Sequence, residues 1–561
     1  MPLCRARSTA TSRCDPPLAV RLYAKTGPRL SAPPFRRVLV ANRGEIALRI
    51  IRACREMGME SVAVYSDADA RSAHVRAADQ AVRLGPAPAA ESYLRGDLVI
   101  AAAVATNSEA IHPGYGFLAE RAEFVRQVDA AGLTFVGPSA DAMAALGDKI
   151  AARAVAVAAD VPVVPGTFAA AALDRPDQLD GIVAAAEAIG FPLMVKSAAG
   201  GGGRGMRRVT SVAELPEALI AGARESAAAF GDGSVYMERE IRPARHVEVQ
   251  LLGDAHGHVV AIGERDCSIQ RRHQKLVEES PAPGLTAEQR RHVHELAVRA
   301  ATAARLTNAA TAEFLLDPNG NFWFLEVNAR LQVEHGVTEL VSDLDLVREQ
   351  FWLAAGHPLS PEVWAAAARA AEPSRHAIEV RISAEDPARA FAPTAGRVVT
   401  WRMPAGPGVR VDTAVEAGDR IPPEYDPMIA KQMVVGPDRG VAIERLRRAL
   451  DEVEIGGLQT TLPFDLALVR NEAFMEGRLS TDFVADHWDG PADRARALHL
   501  AQRLSVHEWA NAGEGSDGAP ADRTPGDVKS PPALAAARHE DSDPSAWGTI
   551  ARDEAVDRWP R

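Results

Sequence analysis

In the segment RRVLVANRGEIALRIIRACREMGMESVAVYS the spacing of apolar residues changes twice. A short apolar block, Val38–Val40, leads through Asn42-Arg43-Gly44 into apolar residues at three- and four-residue intervals. A second block follows at Ser61–Tyr65. Blocks of this length predict strands, and the 3.6-residue period predicts an amphipathic helix, so the segment reads as a βαβ unit. EAIHPGYGFLAE and LTFVGPSADAMAALGDK continue the alternation, so residues 35–146 predict an open parallel α/β domain.

The pattern changes after about residue 150. To about 350 it is α+β, with charged strands and long loops. From about 376 to 436 short strands dominate (HAIEVRISAED, GRVVTWRMP, MIAKQMVVG), and a helix follows at 439–453. After about 510 the composition is rich in Gly, Pro, Ala and Asp and predicts a disordered or linker-like tail.

The segment 311–335, TAEFLLDPNGNFWFLEVNARLQVEH, carries the densest pattern. Asp317-Pro318-Asn319-Gly320 is a turn signal between two strands. Pairing Asp317 with Gly320 sets Glu313 opposite Phe324 and makes Glu326 its diagonal neighbour on the same face, roughly 7–8 Å away. Two carboxylates so placed suit Mg²⁺ carrying nucleotide phosphates. Beyond the hairpin, Glu326, Asn328, Arg330, Gln332 and Glu334 alternate with Leu325, Val327, Ala329, Leu331 and Val333. An extended chain would set the five polar groups along one wall. Such alternation usually marks a half-exposed strand, yet a solvated face has little use for Asn and Gln between charges of both signs.

Other stretches add chemistry. FPLMVKSAAGGGGRGM, 191–206, places Gly200 to Gly203 after an apolar strand ending in Lys196. Bare backbone N–H groups there suit a phosphate lid, although no Walker A or dinucleotide pattern is present. ERDCSIQRRHQK, 264–275, sets His273 and Lys275 two apart, on one side if extended. His246, a lone histidine at the start of RHVEVQLL, reads as structural.

Composition narrows the picture. The net charge is -12 with no basic tract, which excludes a nucleic-acid binder, and no apolar run is long enough to span a membrane. Cys4, Cys14, Cys54 and Cys267 form no metal-spaced pair, which suits a reducing compartment. Of the 63 basic residues, only six are lysine and 57 are arginine. Where arginine supplies nearly every positive charge, a retained lysine marks a need for a compact ammonium. Lys25 and Lys529 lie in apparent tails, which leaves Lys149, Lys196, Lys275 and Lys431 as functional candidates. Residues 1–34 contain Arg and Ser with one acidic residue, a composition shared by transit peptides and disordered extensions.

VLVANRGEIALRIIRACREMG, HPGYGFL, GDK, SAAGGGGRGM, RHVEVQ, ERDCSIQRRHQKLVEESPAP, FLEVNARLQVEHGVTE, HAIEVRISAEDP and YDPMIAK occur in one order between about 36 and 487. Together they resemble the biotin carboxylases, ATP-grasp ligases. The resemblance implies a pre-ATP-grasp parallel α/β domain (35–146), an ATP-grasp domain with a mobile glycine-rich lid (147–372) and a mainly β C-terminal domain (373–490), between an extension (1–34) and a tail (491–561). It implies ATP contacts at Lys149, Lys196, Gly202, Gly203, Glu238, Arg239, Glu240, Ile241, His246, His273, Glu313 and Glu326. It implies Mg²⁺ or Mn²⁺ at Glu313, Glu326 and Asn328, and bicarbonate at Lys275, Arg330, Gln332 and Val333. Glu334 matches the general base and Arg381 the biotin-binding arginine; Lys275 and Arg330 join them as catalytic residues.

The implied substrate is biotin on a separate carrier protein, and the implied partners are that carrier, a carboxyltransferase and a second copy of the chain, in the cytoplasm or, if residues 1–34 are a transit peptide, in mitochondria. No Met-Lys pair, the core of a biotin attachment motif, occurs in the sequence. The chain departs from the family at Glu240 (usually aromatic), Gly336 (proline), Asp343 and Arg375 (glycines) and Val380 (cysteine). The competing readings are a carbamoyl-phosphate-synthetase-type ligase, against which HPGYGFL and HAIEVRISAEDP argue, and a regulatory homologue, which would lack catalytic groups that are present here.

Overall fold

The computed structural model describes residues 32–167, 179–198 and 206–512. The leading segment folds as β1 (Arg37–Val40), the helix Gly44–Glu56 and β2 (Glu60–Ser66). With β3 (Gln80–Gly85), β4 (Ala110–His112) and β5 (Thr134–Phe135) these strands form a parallel sheet of order β3-β2-β1-β4-β5. The helix buries Ile46, Ala47, Ile50, Ile51 and Cys54, its one apolar stripe. Strand order turns back at β1, so the loops after β1 and β4 diverge and open a crevice at their carboxyl ends. Asn42 to Ile46 and Tyr115 to Phe117 line that crevice.

Two antiparallel sheets follow. β6 (Leu193–Ser197), β7 (Arg207–Val209) and β8 (Val235–Arg239) pair in the order β7-β6-β8. A larger sheet of eight strands contains β9 (Arg245–Gly253), β10 (Val259–Arg271), β11 (Gln274–Ser280), β12 (Asn308–Leu316), β13 (Phe322–Asn328) and β14 (His376–Ser383). Its order is β13-β12-β9-β10-β11-β14, then Met428–Gly436, then Val409–Thr413. It therefore runs without a break from the ATP-grasp region into the C-terminal region. One face packs on the helices Ala287–Ala303 and Arg439–Asp451 through Val247, Val249, Phe314, Ile378, Val380 and Val434. The other face carries charge and looks into a large cavity.

The tail expected from residue 491 opens instead with a helix, Pro491–Ala512. Its first residues contain no glycine, and their one proline occupies the first helical position, where the missing N–H costs nothing. Ala497 joins the C-terminal core and Leu500 packs against it. The Gly/Pro-rich composition begins only at Gly513. The N-terminal extension to residue 31, the glycine run from 199 to 205 with Gly202 and Gly203, Lys25, Lys529 and everything after 512 lie outside the described residues. No helix among the described residues is long and apolar enough to cross a membrane.

Candidate active site

A cavity of about 1520 Å³ lies over the charged face of the eight-stranded sheet. The β12–β13 hairpin forms its floor, and its register differs from the expected one. The Asp317 N–H donates to the Asn321 carbonyl and Leu316 stands opposite Phe322, which shifts the strands by one residue from the expected register. A bulge at Leu325 of β13, which is left unpaired between the Phe314–Phe324 and Glu313–Glu326 pairs, shifts them once more, so Glu313 stands directly opposite Glu326. The carboxylates are thus nearest cross-strand neighbours rather than diagonal ones. Like charges so placed repel, and cations offset them. Lys149 Nζ lies 3.3 Å from Glu326 Oε2, Lys275 Nζ 3.0 Å from Glu313 Oε1, and His246 Nε2 2.9 Å from Glu313 Oε2. The lone His246 therefore belongs to the site. Asn328 Nδ2 donates to Glu313 Oε1 at 2.8 Å. Two carboxylates and an amide oxygen on one wall are hard oxygen donors of the kind a divalent cation takes.

β13 ends at Asn328, so the extended wall expected through Glu334 does not continue as a strand. The five polar residues nevertheless line the same cavity. Arg330 holds the turn together: Nε donates to Glu120 at 2.8 Å, Nη2 to Asn328 Oδ1 at 3.1 Å and Nη1 to Gln332 Oε1 at 2.9 Å. Gln332 Nε2 reaches Glu313 at 3.3 Å. Val333 lines the cavity beside it. Glu334 is the residue before the helix His335–Ser342, its side chain making no bond to the helix N–H groups, and is fully buried. Lys275 Nζ donates to one of its oxygens at 2.7 Å and Arg381 Nη2 to the other at 3.0 Å.

Burial alone would raise the Glu334 carboxyl. Lys275, Arg381 and Arg265 outweigh it and hold the group well below the usual carboxylate range. The same opposition acts on Lys275: burial lowers it, but Glu248, Glu313 and Glu334 together push it well above its ordinary value. Glu278 bonds Arg381 Nε at 2.7 Å, yet burial still lifts its carboxyl to about 7.

Lys196 Nζ meets Glu238 Oε2 at 2.5 Å, and buried Arg153 binds the other Glu238 oxygen and the Val164 carbonyl, the latter at 2.8 Å. Arg239 bonds the Ile189 carbonyl at 2.9 Å, and Arg239, Glu240 and Ile241 all line the cavity. His273 and Lys275 also share it, although His273 sits in the β10–β11 turn with φ 66° rather than in an extended segment. Arg265, Glu248, Glu278, Arg153 and Lys431 were not singled out for this site by the sequence patterns, apart from the rarity of lysine at 431. A charge in the middle of a predicted strand, as in RHVEVQLL, was the available signal.

Three departures meet a partner. Glu240 pairs with Arg208 of β7 at 2.8 Å. Asp343 and Arg375, both replacing glycines, pair with each other at 3.4 Å. At Gly336 a Cβ would collide with the sulfur of Met433, which occupies that space. Val380, in place of a cysteine, is fully buried in the apolar core of the C-terminal region.

The family models that match the chain are the biotin carboxylase N-terminal domain over residues 34–143, the carbamoyl-phosphate synthase L chain ATP-binding domain over 148–362 and the biotin carboxylase C-terminal domain over 379–486. A biotin carboxylase of Nostoc sp. is 46% identical over 452 residues, which cover 81% of this chain and 99% of the relative. The structure of a Campylobacter jejuni biotin carboxylase–β,γ-ATP complex matches with a TM-score of 0.77 at 42% identity, over 81% of this chain and 99% of that one. The biotin carboxylase domain dimer of the Hydrogenobacter thermophilus 2-oxoglutarate carboxylase, with MgADP, ADP and bicarbonate, matches with a TM-score of 0.76 at 41% identity, over 81% and 98%.

Proposed function

The chain belongs to the biotin carboxylase family, and from that premise we propose that it carboxylates biotin borne outside these 561 residues, using ATP and bicarbonate. The observation that carries the reading is Glu334, ionised and dry, gripped by Lys275 at 2.7 Å and Arg381 at 3.0 Å beside the Glu313–Glu326 pair.

Lys149 and Lys196, with Gly202 and Gly203, take the nucleotide phosphates, and Glu238, Arg239, Glu240 and Ile241 flank the base, with His246 and His273 as further contacts. Lys275, Arg330, Gln332 and the Val333 backbone take bicarbonate. Glu313, Glu326 and Asn328 would hold Mg²⁺ or Mn²⁺, which when bound neutralises phosphate oxygens. Glu334 accepts the bicarbonate proton. The freed oxygen attacks the γ-phosphorus, the bond to ADP breaks, and carboxyphosphate forms. It splits into CO₂ and phosphate, and the phosphate takes the N1 proton of biotin. Arg381 offsets charge developing on the ureido oxygen while N1 attacks CO₂. Two of the three cations that depress Glu334, Lys275 and Arg381, are those the substrates recruit. As Lys275 turns to bicarbonate and Arg381 to biotin, Glu334 loses stabilisation and becomes a stronger base.

The test is ATP cleavage by the purified chain. It should require bicarbonate, rise when free biotin is added, and yield no carboxylated acyl-CoA without partners. Covalent biotin detected on this chain by mass spectrometry overturns the assignment of a separate carrier. We assign the reaction served to an acetyl-CoA or other acyl-CoA carboxylase, in the cytoplasm, with this chain as a homodimer. Co-purification of a keto-acid carboxyltransferase would replace that acceptor, and a monomeric mass in solution would remove the dimer.

A further inference from the structure

Lys431 is the retained lysine that the proposed reaction leaves without work. It is fully buried on the strand Met428–Gly436, where it stands opposite Arg381 on one side and Asp412 on the other. Its Nζ donates to the Val333 carbonyl oxygen at 2.8 Å. The same nitrogen lies 3.2 Å from Glu45 Oε1 and 3.9 Å from Asp412 Oδ2. These groups come from three regions: Glu45 from the first helix of the parallel domain, Val333 from the turn after β13, Asp412 from the C-terminal strands. Three donors on a tetrahedral ammonium suit partners in three directions, and a larger planar guanidinium does not.

A second buried group works on the adjoining peptide. His335 Nδ1 lies 2.8 Å from the Gln332 carbonyl oxygen. A carbonyl only accepts, so Nδ1 carries the proton and the tautomer is assigned by that bond. The ring is fully buried, and burial together with nearby Lys431 lowers it to about 3, so it stays neutral and keeps this one donor.

Peptide units are planar, so holding a carbonyl also sets the N–H across the same bond. The Gln332 carbonyl shares its plane with the Val333 N–H, and the Val333 carbonyl shares its plane with the Glu334 N–H. We propose that His335 and Lys431 are positioning residues of the bicarbonate site. They clamp the two consecutive peptide planes of the 332–334 turn and so aim the Val333 N–H and the Glu334 carboxylate. The inference rests on the reading that this turn meets bicarbonate. It explains why a chain so poor in lysine keeps one where no substrate reaches it.

Steady-state ATP cleavage with free biotin, on the full chain, tests the clamp through two Michaelis constants. In Lys431→Met, Lys431→Arg and His335→Leu, KM for bicarbonate should rise about tenfold or more while KM for ATP stays within about twofold. His335→Asn, whose side-chain amide offers a donor near the place of Nδ1, should stay within about threefold of the parent for bicarbonate. An unchanged bicarbonate KM in Lys431→Met overturns the proposal. So does a parallel rise in both constants, which is the mark of general loosening. Removing a cation from beside buried Glu45 and Asp412 is destabilising. Should Lys431→Met not fold, the His335 pair decides: equal bicarbonate KM values in the Asn and Leu variants overturn the clamp, and a gap between them supports it. A parent enzyme with no bicarbonate dependence would overturn the underlying reading before any variant is compared.

Discussion

Glu313 and Phe314 are consecutive residues of β12, both buried, and they face opposite sides of the eight-stranded sheet. Phe314 packs edge-on against Phe322 and Phe324, among Val247, Val249 and Leu296. Glu313 meets Lys275, His246, Asn328 and Gln332. The two sides lose water to a similar degree by opposite means. Burial on the Phe314 side is non-directional and scales with area, so it contributes stability and tolerates substitutes of equal volume. On the Glu313 side every ion needs a partner at the right distance, and the desolvation cost cancels much of the attraction. What that side gains is readiness: charges already fixed, already dry and pointed at one cavity.

The comparison breaks most sharply at Glu334. Glu334→Gln keeps the shape and removes the proton acceptor, so bicarbonate-dependent ATP cleavage should fall by about 10²–10⁴. Folding, followed by thermal melting, should change little by comparison. Phe314→Ala should do the reverse, costing about 3–5 kcal/mol in denaturant unfolding while the folded fraction keeps both KM values. A Phe314 variant that alters the bicarbonate KM would show that the two faces are not separable. Lys275→Arg keeps the charge, but a guanidinium cannot serve Glu248, Glu313 and Glu334 from one point. Turnover should drop by roughly tenfold or more, and full activity would remove the reason given for lysine there.

The smallest effect sets a reference for a carboxyl without this company. Glu349 accepts a bond from Ser360 at 3.2 Å, yet burial raises it to about 7. Its folded value exceeds its unfolded one, so the folded state binds the extra proton. Stability on this account is greatest below about pH 4.5 and is lost as pH rises to about 7. Glu349→Gln should flatten that decline by on the order of 1 kcal/mol, read from melting temperatures at pH 5 and pH 8. An identical slope in the variant would show that Glu349 is not the group responsible. Glu313 and Glu334, held low by cations, titrate with the opposite sign: their contribution is present above the ordinary carboxylate range and fades as acid protonates them.

Much of this was legible in the chain because the faces are written as alternation. RHVEVQLL and HAIEVRI alternate polar and apolar residues through their middles, His246 to Leu251 and Ile378 to Ile382, and the lysine count pointed to four positions that the structure sets against carboxylates. What covers the polar face was not legible. Alternation normally marks a wet side, whereas here the helix His335–Ser342 and the β1 and β4 loops close over it, and those contacts are non-local. The hairpin register was missed for a local reason. Asp-Pro-Asn-Gly announces a turn without saying which residues close it, and the bulge at Leu325 leaves no trace in composition. Arg265 and Arg153, each fully buried, stood among 57 arginines with nothing to mark them.

The pairing of β11 with β14 joins Val277 to Val380 and Glu278 to Glu379, between regions that separate family models describe. What looks like a border between modules is a hydrogen-bonded seam. A cut near residue 373 would leave β11 as a raw edge with unpaired backbone donors and acceptors, ready to recruit a strand from any neighbour. It would also strip away Arg381 and Lys431, whose charges offset Glu278, Glu334 and Glu45. The halves of this enzyme therefore cannot be exchanged between relatives as cassettes: a chimera must carry the strands on both sides of the seam from one parent, or inherit a catalytic face with its counter-charges missing.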